Sequence, residues 1–437
     1  MPTHSRVRRL SLIASLLAPV VGLTACSAAQ SPGSASTGAA AADSSATADT
    51  RPSAAVVTDY QSYVGGKAGK ADSGLSPVTL GWVNVEGGPG GSPEATLGAK
   101  AAVRYVNEKL GGIGGHPLAL NVCTVVSAEE EGQKCGQQLL GDKAVSAIAL
   151  GNLYLGDASF NSVVAGRKPV LVGVATGPTL PTAKNTYSTF GDLPHIFGTW
   201  GTYARDVLKA KTAAVIHTNT PGDKIASSAA VKGLKAAGLT VKSVGFDAQA
   251  TDLIGPVSAA GANSADVIVP ITIGSGCVGV AKAIKQLGIN KPVVSTPLCM
   301  SPDVAKGLGG DLPTWTYGVA QTLPTDTSAA DSKAFLAASG QVGLDKATAS
   351  QVFAPVAWST ILTYAKALDA VGADKITPAA VAAQLKKFTG PVVMGAAEVK
   401  CAKYPDAPAV CNDQARFYQY KGKGAFQPLT DWLRPPR

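Results

Sequence analysis

The stretch Pro93–Leu120, PEATLGAKAAVRYVNEKLGGIGGHPLAL, decides how the rest of the chain is read. Ser92 stands where a helix N-cap belongs, Pro93 suits the first helical position, and Glu94 complements the helix dipole. Ala99, Val103, Val106 and Leu110 recur at helical spacing and give one apolar face. Gly111 and Gly112 supply the left-handed backbone that ends a helix. Before the helix, VTLGWVNV at Val78–Val85 reads as a strand; after the turn Gly114–Pro117, Leu118–Val126 reads as another. The unit is strand, glycine-rich loop, helix, tight turn, strand: one βαβ repeat.

The alternation continues outward. Apolar runs at Val145–Leu150 and Lys168–Val174 are separated by helical segments, one containing Cys135–Leu140 and one reaching Ala165. Near Pro194–Trp200 the pattern restarts. A helix over Thr202–Lys209 is followed by strands at Thr212–His217, Val241–Phe246, Val267–Ile271 and Val293–Ser295, with helices at Ile225–Ala237 and Val278–Leu287 between them. Short apolar strands alternating with helices predict parallel, doubly wound sheets. Such sheets bind ligands beyond the carboxyl ends of their strands. In the first half that rule selects the loops Glu86–Ser92, Gly151–Asp157 and Ala175–Thr179.

A chain of 437 residues is too long for one compact core. Its net charge of +9 includes Arg6, Arg8 and Arg9, which belong to the leader; the remaining positive charge is dispersed, without an Arg-rich block or aromatic ladder, so nucleic acid is not an expected partner. Residues 1–25 read as a signal sequence, basic and then apolar over Leu10–Leu23. The segment closes with Leu23-Thr24-Ala25-Cys26, which resembles the bacterial lipobox and implies acylation of Cys26. A plain signal peptide with a chance cysteine is the competing reading. Residues 26–76 are dominated by Ala, Ser, Thr and Gly and are expected to form a disordered tether. The protein is then expected outside the cell, lipid-anchored to the outer face of the cytoplasmic membrane.

Seven cysteines leave six once Cys26 is set aside. They fall as neighbours, Cys123 with Cys135, Cys277 with Cys299 and Cys401 with Cys411, which favours local disulfides in an oxidising compartment. No C-x-x-C pair supports zinc, and no metal or other cofactor is expected.

A helix ending VNEKLGGIGGHPL, Val106–Leu118, resembles the corresponding turn of type I periplasmic binding proteins, most closely the branched-chain amino-acid (leucine-binding) receptors of ABC transporters. An ordinary glycine-rich αβ turn would look similar in isolation; the lipobox, tether and repeated βα pattern favour the family. The segment VIHTNTPGD…GLKAAGLTV resembles the family's second lobe. The resemblance implies an α/β fold of two doubly wound parallel-sheet lobes joined by three crossovers. It implies lobe 1 over residues 77–196, lobe 2 over 197–316, a return to lobe 1 over 317–389 and a return to lobe 2 over 390–437. It also implies a monomer that captures a small solute between its lobes and delivers it to membrane permease subunits.

No G-x-S-x-G elbow, H-E-x-x-H helix or P-loop is present, and the loop Gly87–Gly91 is not followed by the Lys-Ser/Thr that would place it on phosphates. His116 reads as turn structure and His217 as a strand-end residue; an enzyme is not expected. Binding needs hydroxyls and backbone amides for a carboxylate, an acceptor for an ammonium group and an apolar wall. Ser92, Asn152, Tyr154, Ala175 and Thr176 lie on the selected loops of lobe 1, Asn219 on the facing loop of lobe 2, and Phe353 on the hinge side; capping or packing is the alternative role of each. The chain departs from the amino-acid receptors in three places. It has Asn-Leu-Tyr-Leu-Gly where they carry a Ser/Thr pair, Gly222 where they often have tyrosine, and no acid near Leu298–Cys299, Asp303 being the nearest. An amide or a small aromatic acid therefore becomes a credible ligand, with branched-chain amino acids only a little ahead. Two other classes compete: a sensor on the same fold that signals to a membrane kinase, and a secreted hydrolase, which the missing catalytic motifs disfavour. The lipobox generates a direct prediction. Cys26→Ala should release the protein into the medium or leave an unprocessed precursor, scored by fractionation and immunoblot; normal processing with retention at the membrane would refute acylation.

Overall fold

The computed structural model describes residues 56–88 and 90–436. The signal sequence, Cys26 and the early part of the expected tether lie outside the described residues. The described chain starts with a short helix, α1 (Tyr60–Val64), and then enters lobe 1. There β1 (Val78–Val85), α2 (Pro93–Lys109), β2 (Leu118–Val125), α3 (Glu129–Gly141), β3 (Val145–Leu150), α4 (Asp157–Val164), β4 (Val170–Ala175) and β5 (Thr186–Asp192) follow in turn. The five strands are parallel, in the order β2-β1-β3-β4-β5. That order reverses direction between β1 and β3, which opens a crevice above their carboxyl ends.

The second lobe repeats the scheme with α5 (Leu193–Asp206), β6 (Thr212–Thr218), α6 (Pro221–Ala236), β7 (Thr240–Phe246), α7 (Ile254–Ala259), β8 (Val267–Ile271), α8 (Ser275–Gln286), β9 (Val294–Ser295), α9 (Pro302–Gly307) and β10 (Thr316–Val319). The ladder β7-β6-β8 is joined to β9 and β10 through a parallel bridge between Ile268 and Val293. The reversal falls between β6 and β8, as it does between β1 and β3 in lobe 1.

The chain then returns to lobe 1 with α10 (Ala330–Gln341), α11 (Lys346–Ala349), α12 (Phe353–Val371) and α13 (Pro378–Lys386). It ends in lobe 2 with β11 (Arg416–Tyr420) and β12 (Phe426–Pro428), which add antiparallel strands to β10. The fold is thus α/β, with two sheet-centred lobes and three crossovers. Lobe 2 is mixed rather than purely parallel. Helix α12, FAPVAWSTILTYAKALDAV, is buried along nearly its whole length, as expected of a helix apolar on all sides. It lies so close to α2 that a Cβ at Gly98 would collide with the Ala354 carbonyl. The Tyr364 hydroxyl donates to the Ile148 carbonyl at 2.7 Å, fixing α12 to the sheet.

Three local readings are corrected. Strand β5, TYSTFGD, is too polar to stand out as an apolar run; Ser188 settles its hydroxyl on the Gly173 and Gly191 carbonyls, at 3.0 and 2.6 Å. The helix expected at Thr202 begins at Leu193, because Asp192 caps it by accepting from the His195 amide at 2.9 Å. The tether expected through residue 76 is folded from residue 57 onward. Val57, Tyr60, Tyr63 and Val64 are buried in the lobe 1 core, and Tyr60 packs on Tyr105 and Trp358 with ring centroids 5.8 and 6.0 Å apart. The Lys366 ammonium donates to the Tyr63 carbonyl at 2.8 Å and sits over the Tyr63 ring. Farther on, the Gly69 amide donates to the Lys109 carbonyl and the Gly111 amide to the Gly69 carbonyl. At Gly111, with φ 72°, a side chain would strike the Lys67 carbonyl. The Gly-Gly turn is therefore required twice, by its left-handed backbone and by the strap that crosses it.

Disulfides join Cys123 to Cys135, Cys277 to Cys299 and Cys401 to Cys411. The first ties β2 to α3 and the second ties α8 to the loop after β9. The third closes the last crossover, which runs beside β5 through Ser188 amide to Ala409 carbonyl and Cys411 amide to Ser188 carbonyl bonds. Because Tyr63 is buried within lobe 1, Tyr63→Ala should lower the unfolding free energy by about 3 kcal/mol or more, measured by urea titration of the protein without its leader. A loss below about 0.5 kcal/mol, the range of ordinary surface substitutions, would show the strap to be only loosely held.

Candidate functional site

The strand ends at the reversal of lobe 1 are held by a polar residue inside an otherwise apolar strand. Asn84, fully buried in β1, donates to the Ser92 carbonyl at 2.8 Å and accepts from the Asn152 amide at 2.9 Å. One side chain thereby fixes both the loop after β1 and the loop after β3. Sequence reasoning passed over Asn84; its signal was a lone amide in VTLGWVNV. Trp82 donates from Nε1 to the Thr96 hydroxyl at 2.8 Å, and Thr96 in turn donates to Glu86.

On this frame Ser92, Asn152 and Thr176 meet. Asn152 Nδ2 donates to Ser92 Oγ at 3.0 Å, and the Thr176 hydroxyl donates to Asn152 Oδ1 at 2.8 Å. Ser92 makes no side-chain cap on α2, so its expected structural role is replaced by this contact. Asp157 secures the third loop by accepting from the Thr179 amide and hydroxyl, both at 2.8 Å; burial pushes its carboxyl up against the pull of those bonds. Ala175 is the buried last residue of β4. Tyr154 is more exposed, with its ring against Gly90. Phe353 opens α12 and is buried. Beside it Glu94 is nearly buried at the start of α2; burial pushes its carboxyl up, opposed by its own amide and by the Phe353 amide.

Lobe 2 presents its own group at the corresponding reversal. The hydroxyls of Thr218, at the end of β6, and Thr272, just after β8, are 2.6 Å apart, and the Thr296 hydroxyl donates to the Thr272 carbonyl at 3.4 Å. Both sulfurs of the Cys277–Cys299 bridge lie against that same carbonyl. Asp223, in the first turn of α6, is pushed up by burial beside Thr220 and Thr218. The sequence nominated none of these threonines; only the order of strands makes them neighbours. Asn219 does not join them. It is exposed, its amide donates to the Phe246 carbonyl at 2.9 Å, and its side chain lies beside Gly245. Asp303 is exposed in the first turn of α9. His116 binds the Ser76 carbonyl and His217 the Thr218 carbonyl, which are local structural roles. Among the described residues no cluster of His, Cys, Asp and Glu could hold a metal ion.

The residues gathered here offer hydroxyls, amides and partly buried acids, and none of the hydroxyls is paired with a base that would activate it as a nucleophile. The arrangement is suited to holding a small polar molecule rather than transforming one. Comparison with known proteins agrees. The sequence matches the family described as Periplasmic binding protein over residues 77–424. Among solved structures, a leucine binding protein of Thermotoga maritima superposes with a TM-score of 0.63 at 14% identity, covering 82% of this chain and 99% of its own. A solute binding protein of an ABC transporter from Rhodopseudomonas palustris, in complex with p-hydroxybenzoic acid, gives 0.66 at 17% identity, covering 82% and 98%. An ABC transporter substrate-binding protein of Sphaerobacter thermophilus gives 0.67 at 16%, with the same coverage, 82% and 98%. A sequence comparison with curated proteins returns no match.

The environment of Glu94 fixes the sign of a pH effect. A carboxyl raised by burial keeps its proton in the folded chain at a pH where the unfolded chain has lost it, so stability falls as pH rises from the unfolded value through the folded one. Glu94→Gln, which retains an acceptor for the Phe353 amide, should melt higher than wild type at neutral pH. The gap should narrow as pH falls through the raised folded value and be closed by about 4, where the unfolded chain is protonated too. A gap that widens on acidification would show that the charged form is the one stabilised.

Proposed function

This chain belongs to the periplasmic binding protein family, and on that basis we propose that it is the solute receptor of an ABC importer, closing two lobes on a small organic molecule. The family is one of binding proteins, so the chain is not an enzyme. The observation that carries the reading is the pair of polar groups at the two strand-order reversals, Ser92–Asn152–Thr176 in lobe 1 and Thr218–Thr272–Thr296 in lobe 2. The crossovers between the lobes supply a hinge, and ligand binding would favour the closed form. In this reading Phe353 and Tyr154 give the apolar wall, with Ala175 shaping the floor beside Thr176, while Asn219 stands at the rim of lobe 2. The ligands named for the structural neighbours, leucine and p-hydroxybenzoic acid, bracket the size expected here. Acylation at Cys26 would anchor a monomeric receptor to the outer face of the cytoplasmic membrane, next to its permease.

A ligand at about 100 times its dissociation constant adds roughly 2.7 kcal/mol to stability, which corresponds to a shift of a few degrees in a protein of this size. Thermal-shift screening against amino acids, amides, aromatic acids and sugars should therefore find a saturable stabiliser. Phe353→Ala should weaken that ligand's binding about tenfold or more. Protein freed of bound solute that responds to no compound in the panel would sink the proposal.

A further inference from the structure

The direction of the hydrogen bonds around Asn152 restricts the chemistry of the ligand's polar head. Asn152 Nδ2 lies 3.0 Å from Ser92 Oγ and 3.4 Å from the Gly90 carbonyl oxygen. A carbonyl can only accept, so the amide nitrogen belongs on that side and Oδ1 faces Thr176. The Thr176 hydroxyl, 2.8 Å away, must then donate its single proton to Asn152 Oδ1. Thr176 is left with lone pairs only. Ser92 is the reverse case: its oxygen accepts from Asn152, and its own proton has no acceptor among the described residues. Ser92 and Asn152 are only 4% and 5% exposed, so their bonding is not freely exchanged with water. The backbone of Asn152 is itself held by Asn84. The lobe 1 surface therefore presents one donor, Ser92, beside one acceptor, Thr176.

Resting on the receptor reading above, we propose that the ligand carries a neutral carboxamide head. Its carbonyl accepts from Ser92 and its N–H donates to Thr176. A ring of hydrogen bonds running one way then closes through Ser92, the Asn152 amide, Thr176 and the ligand, each bond polarising the next. A carboxylate breaks the ring, because it sets lone pairs against the spent Thr176 hydroxyl. Rotating the Asn152 amide to accommodate it would press Oδ1 against the Gly90 carbonyl. Asn152 acts here as a positioning residue that sets the polarity of the two hydroxyls.

The test measures dissociation constants at neutral pH for matched pairs, benzamide with benzoate and isovaleramide with isovalerate, by calorimetry and thermal shift. At least one amide should bind, and at least tenfold tighter than its acid. Thr176→Ser should keep that preference, whereas Thr176→Val should weaken the amide by about tenfold, the upper end for one neutral hydrogen bond. Asn152→Asp, which can only accept, should abolish amide binding. The melting temperature of each variant without ligand separates lost recognition from lost folding, and if Asn152→Asp does not fold, the two Thr176 variants carry the test. An acid binding as tightly as its amide overturns the ring and leaves the receptor reading intact. So does a saturable response to an amino acid or sugar with none to the amides. Silence from every compound overturns both.

Discussion

The approach of α12 to α2 at Gly98 is the contact on which the rest of lobe 1 depends. Helix α12 reaches lobe 1 only after the chain has built most of lobe 2, yet it supplies the centre of the first core. Ala354 lies against Gly98 and Val356 against Gly173, so glycine in both α2 and β4 leaves room for the helix backbone and its first turns. Any larger residue there would lift α12 off the sheet. That displacement would carry Phe353 away from Glu94 and remove the surface on which Tyr60 and Tyr63 pack. One close approach therefore couples the position of Phe353, that of a buried acid and the docking of the N-terminal strap.

How far the sequence disclosed this depends on the range of the interactions involved. The βαβ unit at Val78–Val125 was legible because each of its signals is local: a proline start, a helical apolar face, a glycine stop. The loops bearing Ser92, Asn152 and Thr176 followed from a rule about strand ends. Their mutual hydrogen bonds did not, since Asn84 joins residues from two separate loops and looks like any asparagine in the sequence. Thr218 and Thr272 escaped for the same reason, being 54 positions apart and paired only by strand order. Strand β5 was hidden by its polarity, which the third crossover makes tolerable by running alongside it. The strap was hidden by composition: two tyrosines in a small-residue tract outweigh their neighbours once Trp358 and Tyr105 are there to receive them. The crossovers themselves came from family resemblance, because no periodicity encodes a chain's passage between lobes.

The two lobes use related strand orders with different chemistry at the reversal. Lobe 1 employs amides and hydroxyls whose proton directions are fixed by a carbonyl. Lobe 2 employs hydroxyls gathered around the Thr272 carbonyl and backed by the Cys277–Cys299 bridge. In lobe 2 the bond between the Thr218 and Thr272 hydroxyls can run in either direction, so no carbonyl fixes its polarity as one does in lobe 1.

The strap also decides where a mechanical load would go. Tension entering at Val56 passes through Tyr60 and Tyr63 into α12, through Lys366 into the same helix, and through the Gly69 backbone into the end of α2. All of these belong to lobe 1, and none lies on a crossover. A pull from the N-terminal side is thus borne by lobe 1 alone, and the path of the load runs through neither lobe 2 nor a crossover.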